Sequence, residues 1–274
     1  MEEKKSFFAS LEPKSAMLVG LVTGFLVLCT IGFGVMLVVY FGGGKKVISD
    51  PVANTPAPAN EQNIPVPVVT KSNKPVVELF VMSYCPFGLQ MEKAYLPVWE
   101  LLKNKADFSL KFVSYAMHGQ KEVEENTRQY CIQNEQPDKF IPYLKCFTGK
   151  DDYKACLAVA GVNESKMNTC VANADKKFGT MAKFNDKSTW LNGRYPIYPV
   201  NSDLNEKYGV QGSPTLIING AEAQAGRTPE AVKQVVCAAF NNTPNECAQK
   251  LSTASAVAGF GTGTGADTGN AACE

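Results

Sequence analysis

Residues 76–88 read Val76-Val77-Glu78-Leu79-Phe80-Val81-Met82-Ser83-Tyr84-Cys85-Pro86-Phe87-Gly88. The first seven are apolar or β-branched at nearly every position, the pattern of a central strand covered on both faces. A helix is expected from Pro86, a residue suited to a first helical position. Phe87, Met91, Tyr95, Val98 and Leu102 then recur at spacings of four, four, three and four, with Pro97 predicted to kink the middle. Cys85 therefore sits where a strand hands over to a helix. A thiol there faces unsatisfied N–H groups and the positive end of the helix dipole, a setting that favours the thiolate, the form that attacks disulfides. The plainer alternative is a buried, inert cysteine at the end of a core strand.

Working outward, Phe108 to Tyr115 alternates apolar and polar residues, the period-two signature of a second strand. The stretch from about 121 to 187 forms helices without a strand pattern and reads as a helical insertion. Gly212-Ser213-Pro214-Thr215 leads into an apolar strand that ends in the hairpin signal Asn219-Gly220. Thr228-Pro229 then opens a last helix, with the hydroxyl as N-cap. The fold class expected is α/β.

The chain of 274 residues has 27 basic and 26 acidic residues, a balance that excludes electrostatic capture of nucleic acid. Residues 17–41 hold 25 positions without a charge, enough to cross a membrane as one helix and longer than the core of a cleaved signal. The expected organisation is a short cytoplasmic segment 1–16, a transmembrane anchor 17–41, a proline-rich stalk 42–75, a folded domain 76–248 and a disordered glycine-rich tail 249–274. This makes a single-pass membrane protein with its domain on the extracytoplasmic side.

The order strand, Cys85-Pro86-Phe87-Gly88, helix, strand, helical insertion, Gly212-Ser213-Pro214-Thr215, strand resembles the thioredoxin fold. The resemblance implies that Pro214 is cis and faces Cys85, and that Ser213, Pro214 and Thr215 bind an extended substrate segment. Within that fold the chain resembles the gamma-interferon-inducible lysosomal thiol reductase family, whose signature reads C-Q-H-G-x2-E-C-x2-N-x4-C. His118, Gly119, Glu122, Asn126 and Cys131 stand in register with it, and later cysteines follow in similar order. Three positions depart from the family. Ala116 and Val123 replace two signature cysteines, and Gly88 replaces the second thiol of the active-site C-x-x-C. A dithiol site releases its mixed disulfide by attack of the second thiolate, so this site needs a thiol from outside, such as glutathione, a client's own thiol or a partner protein.

Of nine cysteines, Cys29 lies in the apolar run and Cys273 near the C-terminus. Removing Cys85 leaves Cys131, Cys146, Cys156, Cys170, Cys237 and Cys247, an even number with fifteen possible connectivities. Cys237 with Cys247 is the local pair, and the preferred arrangement of the others nests Cys146–Cys156 inside Cys131–Cys170. Bridges of this kind persist only in oxidising compartments. Separations of 15, 10 and 14 lack the close pairs of zinc modules, so no metal is expected. His118 has two readings, a proton shuttle or a loop residue. Glu78 is excluded because its offset from Cys85 is one residue longer than the buried acid of thioredoxin-like proteins. No cofactor is implied, and the expected partners are protein substrates bearing cysteines or disulfides. Two functions follow, thiol–disulfide exchange through Cys85, or a redox-silent peptide-binding module.

Overall fold

The computed structural model describes residues 69–265. The expected anchor at 17–41 and most of the stalk lie outside the described residues, among which no helix is long and apolar enough to cross a membrane.

The elements in chain order are β1 (Val76–Val81), α1 (Pro86–Leu102), β2 (Asp107–Phe112), α2 (Gln120–Glu135), α3 (Pro137–Gly149), α4 (Tyr153–Ala160), α5 (Glu164–Phe178), α6 (Thr180–Asn185), α7 (Ser202–Tyr208), β3 (Thr215–Ile218), β4 (Ala221–Glu222) and α8 (Pro229–Ala238). The sheet order is β2-β1-β3-β4. β1 runs parallel to β2, with Leu79 opposite Leu110, and antiparallel to β3, with Leu79 opposite Leu216. Asn219 and Gly220 both take positive φ, 51° and 83°, the conformation that a two-residue β3–β4 turn requires. This is an α/β thioredoxin-like arrangement.

Alternation along β1 divides the core in two. Val77, Leu79 and Val81 join the larger cluster, to which α1 contributes Leu89, Tyr95 and Val98 and α8 contributes Val232 and Val236. Phe80 and Met82 face the other way, with Val113, Ile217 and Cys85, under half-buried Leu204 and Tyr208 of α7. Helix α1 runs through Pro97 to Leu102, and the Tyr95 hydroxyl donates to the carbonyls of Val77 and Ser109, 2.8 and 3.2 Å, locking it to both parallel strands.

Helices α2 to α6 form the insertion between β2 and α7. Cys131 is bonded to Cys170, joining α2 to α5, and Cys146 to Cys156, joining α3 to α4. Cys237 is bonded to Cys247 in the 3-10 turn Asn245–Ala248.

Three boundaries differ from the sequence reading. The second strand ends at Phe112, and Tyr115 makes an isolated bridge with Ile197. The end of the stalk belongs to the domain, since Ser72 N–H donates to the Ala239 carbonyl at 2.9 Å and Asn241 N–H to the Ser72 carbonyl at 2.8 Å. The largest correction concerns residues 249–265 of the tail expected to be disordered, whose remainder, 266–274, lies outside the described residues. Residues 249–265 are packed against the domain, with Ala256 paired to Thr264 in a small antiparallel hairpin. Composition undercounts their anchorage, because their own carbonyls accept from buried or half-buried lysines and one aromatic ring packs edge-on against the domain.

Candidate functional site

Cys85 is the N-cap residue of α1, with φ −67° and ψ 122°, and its own N–H is held by the Met82 carbonyl at 2.9 Å. The side chain does not cap the helix and faces the loop before β3 instead. There the Ser213–Pro214 peptide bond is cis, and Cys85 Sγ lies 3.6 Å from the Ser213 carbonyl oxygen, to which it donates. The Ser213 hydroxyl accepts from Met82 N–H at 3.0 Å, and Thr215 Oγ1 donates to the Gly212 carbonyl at 2.9 Å. Cys85, Ser213 and Pro214 are therefore brought together, and Pro86 and Phe87 continue away along α1. The Arg227 guanidinium covers the Phe87 ring, 4.6 Å from its centroid.

Cys85 is only 1 % exposed. Its cluster contains Phe80, Met82, Val113 and Ile217, with half-buried Phe87, Met117, Tyr208 and Val210 around it. It lies outside the three bridges among the described residues. The burial is the feature that the sequence reading attached to its alternative, a buried cysteine at the end of a core strand.

Gly88 faces the same spot. A Cβ placed there would lie 2.7 Å from Ser213 Oγ, 3.2 Å from the Met82 carbonyl oxygen and 3.3 Å from Cys85 Cβ. The hydroxyl of Ser213 fills the volume that a side chain at 88 would need.

The signature-like residues after β2 support this loop from behind. Glu122, fully buried on α2, accepts from Tyr84 N–H through Oε2 at 3.2 Å, and from Met117 and His118 N–H through Oε1 at 2.8 and 3.3 Å. Its Oε2 also meets His118 Nδ1 at 2.5 Å. Asn126, one turn on, accepts from Ser83 N–H at 3.0 Å. Between them they satisfy the two backbone donors that immediately precede Cys85, a buried-polar requirement that cannot be left unmet without cost. His118 is thus bound to a structural carboxylate. Ala116 and Val123, the positions lacking cysteines, are fully buried.

Below this layer lies a buried polar group that sequence reasoning missed. Burial pushes Glu92 of α1 well above the usual carboxylate range, and the neighbouring Glu125 pushes the same way. Burial likewise raises Glu125, against the opposing pull of Arg128, Tyr143 and Gln129. Both Glu92 oxygens, Ser83 Oγ, Asn126 Nδ2 and Gln129 Oε1 have no hydrogen-bond partner among the described residues. The available signal was weak: a glutamate on the apolar stripe of a helix. Glu78 pairs with Lys111 at 3.7 Å. Among the described residues no three His, Cys, Asp or Glu side chains stand together as metal ligands.

No family model and no curated protein sequence matches the chain. Among solved structures it is similar to a reduced disulfide bond oxidoreductase, DsbG, from Mycobacterium tuberculosis, at 17% identity and a TM-score of 0.45, covering 66% of this chain and 89% of that one. BdbD from Bacillus subtilis, oxidised, gives 19% and 0.41 over 61% of this chain and 89% of that one. MdbA, a thiol-disulfide oxidoreductase from Actinomyces oris, gives 13% and 0.41 over 63% and 83%.

Proposed function

We propose that this chain is a membrane-anchored, extracytoplasmic thiol–disulfide exchange protein with Cys85 as its nucleophile. The observation that carries the reading is the placement of Cys85 Sγ at the start of α1 against the carbonyl of the cis Ser213–Pro214 bond. That carbonyl and the neighbouring backbone offer an extended client segment main-chain partners beside the thiol. The Cys85 thiolate attacks one sulfur of a client disulfide, forming a Cys85–client bond and releasing the other client sulfur as a thiolate. Attack by another client thiolate on the client sulfur of the mixed disulfide forms a new client disulfide and releases the Cys85 thiolate, an isomerisation. Attack by a small thiolate such as glutathione on Cys85 Sγ releases the client as a dithiol and leaves a Cys85–glutathione disulfide, which a second glutathione thiolate resolves to oxidised glutathione and free Cys85 thiolate. With Gly88 in place of a second cysteine, both routes take the resolving thiol from outside the C-P-F-G motif. No cofactor is needed.

The three bridges support an oxidising compartment, and the uncharged run at 17–41 supports anchoring, with the folded domain outside the cytosol. The match of His118, Gly119, Glu122, Asn126 and Cys131 to the gamma-interferon-inducible thiol reductase signature supports kinship with that family, as a member that has lost its second active-site thiol.

A second reading is favoured by the burial of Cys85: a redox-silent peptide-binding module built on the same loop. Scrambling of a misbridged client by the full chain and by Cys85→Ser separates the two. The exchange reading expects scrambling that the substitution abolishes. Equal scrambling by both chains, or none by either, leaves the silent module.

A further inference from the structure

The exchange reading makes no use of the C-terminal hairpin. Residues 252–265 consist of Ser, Thr, Ala, Gly, one valine and a single large side chain, Phe260. Such a segment has little apolar surface with which to offset its ordering. It is nevertheless held on α1 and α3 by a set of main-chain contacts. Lys93 Nζ donates to the carbonyls of Val257, Gly259 and Gly261 at 2.8, 2.7 and 3.0 Å. Gln90 Nε2 donates to the Ala256 carbonyl at 2.8 Å. In return Gly259 N–H donates to the Pro86 carbonyl at 2.9 Å, and Gly261 N–H to the Thr148 carbonyl at 3.1 Å.

The side-chain anchor is Phe260. Its ring stands edge-on to Tyr84 and Phe147, with centroids 5.5 and 5.3 Å away. Tyr84 precedes Cys85 and Pro86 follows it, so Phe260 and Gly259 grip the chain on either side of the thiol. A cavity of about 270 Å³ remains beside the hairpin, bordered by Ala94, Pro97, Thr148, Pro229 and Ala254, so this occupant does not fill its groove.

Main-chain partners supplied by a turned, glycine-containing backbone, with one aromatic pocket for selectivity, are the marks of peptide recognition. We propose that the groove between α1 and α3 binds a peptide carrying one aromatic residue among small, glycine-rich ones in the turned conformation seen here, and that residues 252–265 occupy it in cis as a displaceable stand-in. The proposal rests on the exchange reading in one respect, that the displacing peptide is a client segment presented next to Cys85. A tethered occupant acts at an effective concentration in the millimolar range, so loosening its aromatic anchor should open the groove to a peptide in trans.

The test uses the full chain and a fluorescent synthetic peptide with the sequence of residues 252–265, followed by polarisation. The Phe260→Ala chain should bind it at least ten-fold more tightly than the wild type, and a peptide carrying the same substitution should lose at least ten-fold. Equal binding to the two chains, or binding to neither, overturns the proposal. Hydrogen exchange on the wild type gives a second readout that needs no variant. Saturating peptide should strip protection from the Gly259 and Gly261 amides, and unchanged protection would refute displacement. Neither measurement involves thiol chemistry, so loss of peptide binding leaves the exchange reading standing, and loss of scrambling leaves the groove standing.

Discussion

Ser213 Oγ stands 2.7 Å from the point where a Cβ on residue 88 would be built, while accepting the Met82 N–H at 3.0 Å. The hydroxyl closes the ladder end of β1 and fills the place of a second side chain at the site. The glycine and the serine are therefore one structural unit, although 125 residues separate them in the sequence.

A side chain at 88 should consequently behave as an intrusion. Gly88→Ala gains helix propensity of up to about 1 kcal/mol but must displace the serine, losing a hydrogen bond of about 1 kcal/mol and crowding the Met82 carbonyl by about 1–3 kcal/mol. The expected net loss is about 1–3 kcal/mol in urea unfolding, with Gly88→Cys no better. Combined with Ser213→Ala, the loss should be less than additive by on the order of 1 kcal/mol. Strict additivity would show that the two positions do not share that space.

Glu122 accepts three backbone N–H groups around the Cys85 loop. Glu122→Ala strands them, at about 1–3 kcal/mol for each buried donor left unpaired. The loop should open locally, so alkylation of Cys85 should quicken more than ten-fold at a denaturant concentration where the rest of the domain stays folded. Glu122→Gln, which keeps one acceptor oxygen, should fall between. An unchanged alkylation rate in Glu122→Ala would remove the carboxylate from loop control.

Stability should fall as pH rises, through Glu92 and Glu125. Burial raises both in the folded chain above the unfolded value near 4.5, so the native state binds the extra protons. Their contribution is complete below about pH 4.5 and is lost as pH climbs through the folded values. Glu92→Gln, neutral at every pH, should match the wild type in urea midpoint near pH 4 and exceed it increasingly toward pH 8. A constant gap across that range would mean that Glu92 does not titrate with unfolding.

The bridges should differ in worth by loop length. The chain-entropy relation gives roughly 4 kcal/mol for the 39-residue separation of Cys131 and Cys170 and roughly 3 kcal/mol for each separation of 10. Cys131→Ala with Cys170→Ala should therefore lower the urea midpoint more than Cys146→Ala with Cys156→Ala. The reverse order would place the stability of the insertion in the α3–α4 pair.

The parts of the fold set by periodicity were legible in the sequence. β1, α1 and β3 follow from apolar spacing, and the β3–β4 turn from Asn219-Gly220. The neighbourhood of Cys85 and Pro214 was accessible only through the resemblance of the motif order to the thioredoxin fold, since neither periodicity nor composition pairs residues so far apart. The role of Glu122 and Asn126 was not, because a carboxylate that satisfies distant backbone donors leaves no periodic mark. The hairpin at 255–265 was misread for a related reason. Its anchorage comes from its own carbonyls and from Lys93, which composition does not weigh, and Phe260 was a single ring in a run of small residues. The shielding of Cys85 depends on packing from Phe87, Met117 and Tyr208, which come from three separate segments.

Ser72 is bonded on both sides, by N–H to Ala239 and by carbonyl to Asn241, while Asn219 holds the Thr70 carbonyl and the Val76 N–H. Along the polypeptide from Val69, the first hold is the Thr70 carbonyl on the β3–β4 turn, the next is Ser72 at the end of α8 and its cystine-closed loop, and β1 begins only after both. The backbone hydrogen bonds of Thr70 and Ser72 therefore have to break before a pull on the incoming chain could peel Val76 and the strand that leads to Cys85.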